Sequence, residues 1–149
     1  MILQILSNHT LICGFSAWFI CQALKILTFG MKTGEWKLRH FWDGGGMPSS
    51  HTAAVVSVAM TVGLKDGFSS TLFAACAIFS AIVMYDAAGV RRETGKQGKL
   101  LNEILSWNDN QSSDIASGEM KEKIGHSPLE VLAGAVMGII IAFLFHYVL

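Results

Sequence analysis

Three short stretches of this 149-residue chain carry residue types able to do chemistry on an anion. The richest is Gly44-Gly45-Gly46-Met47-Pro48-Ser49-Ser50-His51. Glycines let backbone N–H groups come close to an anion, and Pro-Ser-Ser-His then opens a helix with Ser49 as its N-cap. The N–H groups of such a first turn have no partner within the helix, so with Gly46 and Ser50 they form an oxyanion or phosphate cradle. His51 in that turn points into the same cradle. Taken singly, a glycine-rich turn before a capped helix is also a common structural device. The second stretch is Gly125-His126-Ser127-Pro128-Leu129-Glu130-Val131-Leu132-Ala133-Gly134. Pro128 suits the first turn of a helix, where its missing N–H costs nothing. Glu130 stands four residues beyond His126, within reach across the helix start. A carboxylate on one imidazole nitrogen fixes the tautomer and leaves the other nitrogen to attack. A plain His–Glu helix cap uses the same two residues. The third stretch is Arg91-Arg92, directly after Tyr85-Asp86-Ala87-Ala88-Gly89-Val90. Arginine presents a planar fork of donors matched to phosphate oxygens, although two arginines at a helix end also serve as a membrane anchor.

The elements that must position these residues follow from composition. Hydrophobic residues make up 52% and charged residues 15%, and the mean hydropathy is +0.46. Soluble domains carry charge on roughly a quarter of their residues, so this chain reads as a membrane protein. Its length allows a single domain, residues 1–149. Eleven basic residues balance eleven acidic ones, which excludes the global basic field of a nucleic-acid binder. Cys13, Cys21 and Cys76 lie in apolar blocks without disulfide or metal-ligand spacing, as small buried hydrophobes do. The apolar residues 1–7 lack a basic leader and a cleavage site, so no cleavable signal is expected.

Four apolar segments are expected as helices: residues 10–30, 49–64, 69–90 and 128–149. The fold class is therefore all-α, a multi-pass bundle of about four spanning helices. The second segment is short for a crossing. Lys65-Asp66-Gly67-Phe68 makes a tight turn between the second and third. The long polar connections, residues 31–47 and 91–127, fall on one side and both termini on the other. Those connections carry Lys32, Lys37, Arg39, Arg91, Arg92, Lys96, Lys99, Lys121 and Lys123, whereas the opposite side has Lys65. The positive-inside rule then places the long connections in the cytoplasm. Residues 96–107 set Leu100, Leu101, Ile104, Leu105 and Trp107 at helical spacing, an amphipathic insertion for the membrane surface or the bundle. Residues 108–118 read as a Ser-rich flexible link. In the last segment Gly134-Ala135-Val136-Met137-Gly138 offers a small-residue face. Packing within one chain is preferred for it, and a homo-oligomer seam stays open.

Ionisable groups in membrane segments require a reason. Lys25 stands near the end of the first segment, Asp86 near the end of the third, His51 and Glu130 at the starts of the second and fourth. All four fall at the face of the two long connections, where together they define a pocket open to one side. Lys25 alone would equally snorkel to the headgroups. Asp86 reads first as a supporting ion-pair partner of Lys25, Arg91 or Arg92. His9, His40 and His146 have no motif around them.

The order of basic connection, Pro48-Ser49-Ser50-His51, arginine, and Gly125-His126-x-Pro128-x-Glu130-Val131-Leu132-Ala133-Gly134 resembles the type-2 phosphatidic-acid phosphatase superfamily. The closer likeness is to its divergent branch of small membrane proteins, related to acid phosphatases and vanadium-dependent haloperoxidases. Residues 44–51, 83–92 and 125–134 carry the resemblance, which extends over nearly the whole chain. The superfamily pattern is Lys-x6-Arg-Pro, Pro-Ser-Gly-His and Ser-Arg-x5-His-x3-Asp. Here Ser50 replaces the glycine of the second motif and Glu130 replaces the aspartate of the third. Arg91 and Arg92 stand far ahead of His126, as if a segment had been inserted between them. Lys32 and Arg39 keep the Lys-x6-Arg spacing with His40 in place of proline, and Lys25 is the favoured rival for the lysine role.

The resemblance implies an integral-membrane phosphatase acting on a lipid phosphate or diphosphate monoester, with neither metal nor cofactor. It implies His126 as nucleophile, Glu130 as its orienting carboxylate and His51 as acid and base. It further implies Lys25 or Lys32, Arg39, Arg91 or Arg92, Ser49, Ser50 and Gly46 around the phosphoryl oxygens, with Asp86 behind them. Partners expected are the lipid phosphate and the surrounding membrane lipids. A non-catalytic lipid-phosphate binder or transporter is the alternative, and a vanadate-dependent haloperoxidase a more distant one.

Overall fold

A computed structural model of the chain describes residues 2–34, 46–109 and 125–148, and those residues are helical with short connections. Lys37, Arg39, His40, Gly44 and Gly45, together with the Ser-rich link beyond Asp109, lie outside the described residues.

Among the described residues six helices follow one another: α1 (Ile2–Leu6), α2 (His9–Thr33), α3 (Ser50–Asp66), α4 (Thr71–Ala88), α5 (Val90–Asp109) and α6 (Pro128–Val148). Their ends are set by local chemistry. Asn8 caps α2, its Oδ1 accepting from the N–H groups of Thr10 and Leu11 at 3.1 Å each. Gly34 closes the same helix in the left-handed conformation, and its N–H reaches the Gly30 carbonyl at 2.9 Å. Ser49 and Ser70 cap α3 and α4. The turn between those helices needs Gly67, whose φ is +88°.

Among the described residues, three helical stretches are long and apolar enough to cross a membrane: His9–Met31, Thr71–Ile104 (which contains α4) and Pro128–Val148. The fourth expected crossing, α3, differs from them. Its 17 residues rise about 26 Å at roughly 1.5 Å each, just short of the hydrocarbon thickness. It can be shorter and more polar because it is the centre of the bundle. It packs against α6, α2 and α4, whereas α2 and α4 make little contact with each other. Ser50, Thr52, Ser57 and Thr61 are buried along it. Ser57 and Thr61 satisfy their hydroxyls on the carbonyls of Ala54 and Ser57, at 2.8 Å each.

The outer helices show the inverse pattern. On α4, Leu72, Ile78, Phe79, Ile82 and Tyr85 are all exposed, and only Ser80 and Ala87 are buried. So much apolar surface would be a liability in water and is ordinary against lipid tails. Contacts between helices are made by small residues instead. Cys13, Ala17, Cys21, Ala53 and Ala142 form the core with Ile141. A Cβ on Gly134 would lie 2.4 Å from the Ser49 carbonyl oxygen, and one on Gly138 2.6 Å from that of Ala53. The small-residue face of α6 is thus used within the chain, against α3. Between α4 and α3, the Ser80 hydroxyl reaches the Val55 carbonyl at 3.0 Å.

The amphipathic insertion is longer than expected from its periodicity. It begins as α5 one residue after α4 ends, with only Gly89 between them. Leu100, Leu101 and Ile104 are exposed on it, and it packs against α4.

Candidate active site

The helices α3 and α6 run parallel. Gly134 meets Ser49 and Thr52, and Gly138, one turn on, meets Ala53 and Ser57. Their N-termini therefore sit side by side at one level. A backbone bond fastens them there, from Ser49 N–H to the Glu130 carbonyl at 3.0 Å. Each helix start carries the partial positive charge of its unbonded N–H groups. Two such starts together favour an anion between or above them.

At the head of α6, His126 Nδ1 lies 2.9 Å from Glu130 Oε2. The imidazole is 2% exposed. The same carboxylate oxygen accepts the Ser127 N–H at 3.3 Å, while the Glu130 N–H faces the Ser127 hydroxyl at 3.4 Å. Ser127 and Glu130 form the reciprocal Ser-x-x-Glu arrangement of a helix start, which holds the carboxylate still beside the imidazole. With Nδ1 committed to Glu130, any reaction at this ring falls on Nε2. Helix cap and His–Glu pair are thus one construction.

At the head of α3, Ser49 and Ser50 are both buried. Ser49 Oγ accepts from Thr52 Oγ1 at 3.0 Å and faces the Thr52 N–H at 3.5 Å. Lys25 reaches this turn: its Nζ donates to Ser50 Oγ at 3.2 Å, and the residue is 3% exposed. An ammonium taken this far from water carries a large solvation penalty, so its position here requires polar groups around it, of which the Ser50 hydroxyl is one. Upstream, the Thr28 hydroxyl binds the Met47 carbonyl at 2.9 Å and ties the approach to Pro48 onto α2. Gly46 has a φ of +95° and lies over the Lys25 side chain.

The chain as a whole matches a known family over residues 6–141, described as the divergent PAP2 family. The chain belongs to the divergent PAP2 family. It is also 35% identical, over 157 aligned positions, to the "Uncharacterized membrane protein YuiD" of Bacillus subtilis (strain 168), covering 97% of this chain and 98% of that relative. No solved structure matches the chain.

Within this divergent PAP2 protein, the remaining candidate residues are placed unequally. His51 is exposed in the first turn of α3. Asp86 is half-buried in the last turn of α4. The Ser80–Val55 contact sets the register of α4 on α3, and counting six residues from each brings Asp86 to the level of Ser49. Arg91 and Arg92 lie in the first turn of α5, and Lys32 in the last turn of α2; their side chains are outside the described residues, as is all of Arg39. Three supporting residues escaped the sequence reading. Ser127 was legible as the first position of Ser-x-x-Glu. Thr52 and Thr28 carried no local signal, because their roles depend on the fold of the turn around Pro48.

Proposed function

We propose that this membrane protein is a phosphatase that hydrolyses a lipid phosphate or diphosphate monoester through a phosphohistidine on His126. The observation that carries the reading is the buried His126 paired with the half-buried Glu130, held against a turn where two helix starts and the Lys25 ammonium favour an anion.

In this reading the substrate phosphate rests on the backbone N–H groups of Gly46, Met47 and Ser50, on the Ser50 hydroxyl and on Lys25. Arg91 or Arg92, and Lys32 or Arg39, complete the set of cations around its oxygens. His126 Nε2 attacks phosphorus in line with the departing alkoxide, forming the N–P bond as the P–O bond to the lipid breaks. Glu130 stabilises the charge that develops on the imidazole. His51 gives its proton to the alkoxide, then takes one from the water that cleaves the N–P bond, releasing inorganic phosphate. Charge on the equatorial phosphoryl oxygens is met by preorganised donors, the term expected to dominate the rate. Asp86 holds the cations from behind, and the excess of basic residues in the two long connections supports a site facing the cytoplasm.

The deciding experiment is a phosphate-release screen of purified protein against lipid phosphates and diphosphates, with His126→Ala as control. Release by the natural chain and none by the variant is expected, together with a 32P-labelled, acid-labile adduct on His126 during turnover. Equal turnover by His126→Ala would sink the mechanism. Saturable lipid-phosphate binding without release would make the protein a binder instead.

A further inference from the structure

An apolar groove of about 570 Å³ opens between α2, α3 and α4, on the membrane-spanning level of the bundle. Its walls include Phe15 and Trp18 from α2, Ala54 and Val58 from α3, and Ala75 and Phe79 from α4. Its volume is that of a ligand pocket, yet its lining offers almost nothing to hydrogen-bond. It is hollow because Ala54 and Ala75 stand where larger residues would fill it.

The residues that line the groove recur, at helical spacing, on the same three helices that carry Lys25, Ser50 and Asp86. On α3, Ala54 and Val58 follow Ser50 at intervals of four, and Val55 follows His51 in the same way, so wall and site share a face. On α2, Trp18 continues through Gln22 to Lys25 at spacings of four and three. On α4, Phe79 leads through Val83 to Asp86 by the same steps. At about 1.5 Å per residue, Trp18 lies about 10 Å below Lys25, Val58 about 12 Å below Ser50 and Phe79 about 10 Å below Asp86. Three apolar stripes thus end in three polar groups at one level.

We propose that this groove binds the hydrocarbon chain of the lipid whose phosphate enters the site above it. The proposal rests on the phosphatase reading only for the identity of the head group. An amphiphile with one anionic end and one long apolar chain fits both halves at once. A water-soluble phosphate ester would fill only the upper half and a neutral bilayer lipid only the lower. The groove therefore acts as a selector for long-chain lipid phosphates, presented laterally from the bilayer.

The test uses the full-length protein in phosphatidylcholine nanodiscs and a phosphatidic acid carrying a diazirine in mid-chain. A phosphatidylcholine with the same diazirine chain serves as the comparison. The phosphate probe is expected to label Val55, Val58 or Phe79 at least about tenfold more strongly than the comparison, with unlabelled phosphatidic acid competing it away. Ala75→Phe, on an exposed position, and Ala54→Trp should each cut that labelling and lower kcat/KM for a long-chain substrate about tenfold. Turnover of a short, water-soluble phosphate ester should stay within about twofold for Ala75→Phe. Equal labelling by both probes would overturn the proposal, as would full long-chain turnover by both filled variants. If the groove labels selectively but no ester is hydrolysed, the tail site stands and the phosphatase reading falls. If His126-dependent hydrolysis survives the filled groove unchanged, the converse holds.

Discussion

Glu130 grips His126 with its side chain, Oε2 to Nδ1 at 2.9 Å, while its backbone carbonyl holds the Ser49 N–H at 3.0 Å. One residue therefore orients the proposed nucleophile and fastens the turn proposed to receive the phosphate. Movement of the α6 start relative to α3 would disturb both at once. Activity in this protein is expected to depend on helix packing as strongly as on the reacting groups.

Glu130→Gln keeps the side-chain size but removes the charge that would stabilise a positive imidazole. Phosphate release should fall by about 10²-fold or more, against a loss of about 10³-fold or more for His126→Ala. Steady-state release of inorganic phosphate measures both. Wild-type rates in Glu130→Gln would remove the carboxylate from the mechanism.

Ser127→Ala separates the cap from the chemistry. It removes the hydroxyl that faces the Glu130 N–H and leaves the carboxylate in place. The expected cost is about 1 kcal/mol of stability, read by thermal unfolding in detergent, with turnover reduced by less than about tenfold. A loss of activity as deep as that of Glu130→Gln would show that the hydroxyl has a part in the reaction.

Lys25→Met trades a buried ammonium for an apolar chain of similar length. If Lys25 serves the phosphate, kcat/KM of the folded protein should drop about 10²–10³-fold, well beyond what any change in thermal stability accounts for. If its bond to Ser50 serves only the fold, stability falls and the activity of the folded fraction is kept. Paired measurements of unfolding and turnover distinguish the two.

Gly134→Ala places a methyl group against the Ser49 carbonyl, where a Cβ would come within 2.4 Å. Overpacking of this kind costs about 1–3 kcal/mol and pushes the starts of α3 and α6 apart, so stability and turnover should fall together. Gly98→Ala on α5 is the contrast. No atom lies within 4 Å of its Cβ position, and helix propensity should make it neutral or stabilising by up to about 1 kcal/mol. A stable, fully active Gly134→Ala would show that this close approach is not needed.

Much of this protein is determined by sequence over short range. Apolar blocks specify membrane helices because a backbone in lipid must bond to itself, and Asn8, Ser49 and Ser70 set helix starts through bonds spanning two or three residues. The His126–Glu130 pair is legible for the same reason, since a helix start brings residues four apart into contact. Tertiary structure decided what those rules leave open. Lys25 reaches Ser50 across 25 positions only because small residues such as Gly14 and Ala17 let α2 close on α3. The short, polar α3 became the centre because three neighbours replace the lipid that its composition would otherwise require. The groove below the site has no sequence signature at all. It is the space left where small residues such as Ala54 and Ala75 line the seams of α3 with α2 and α4, and only the packing of those helices creates it.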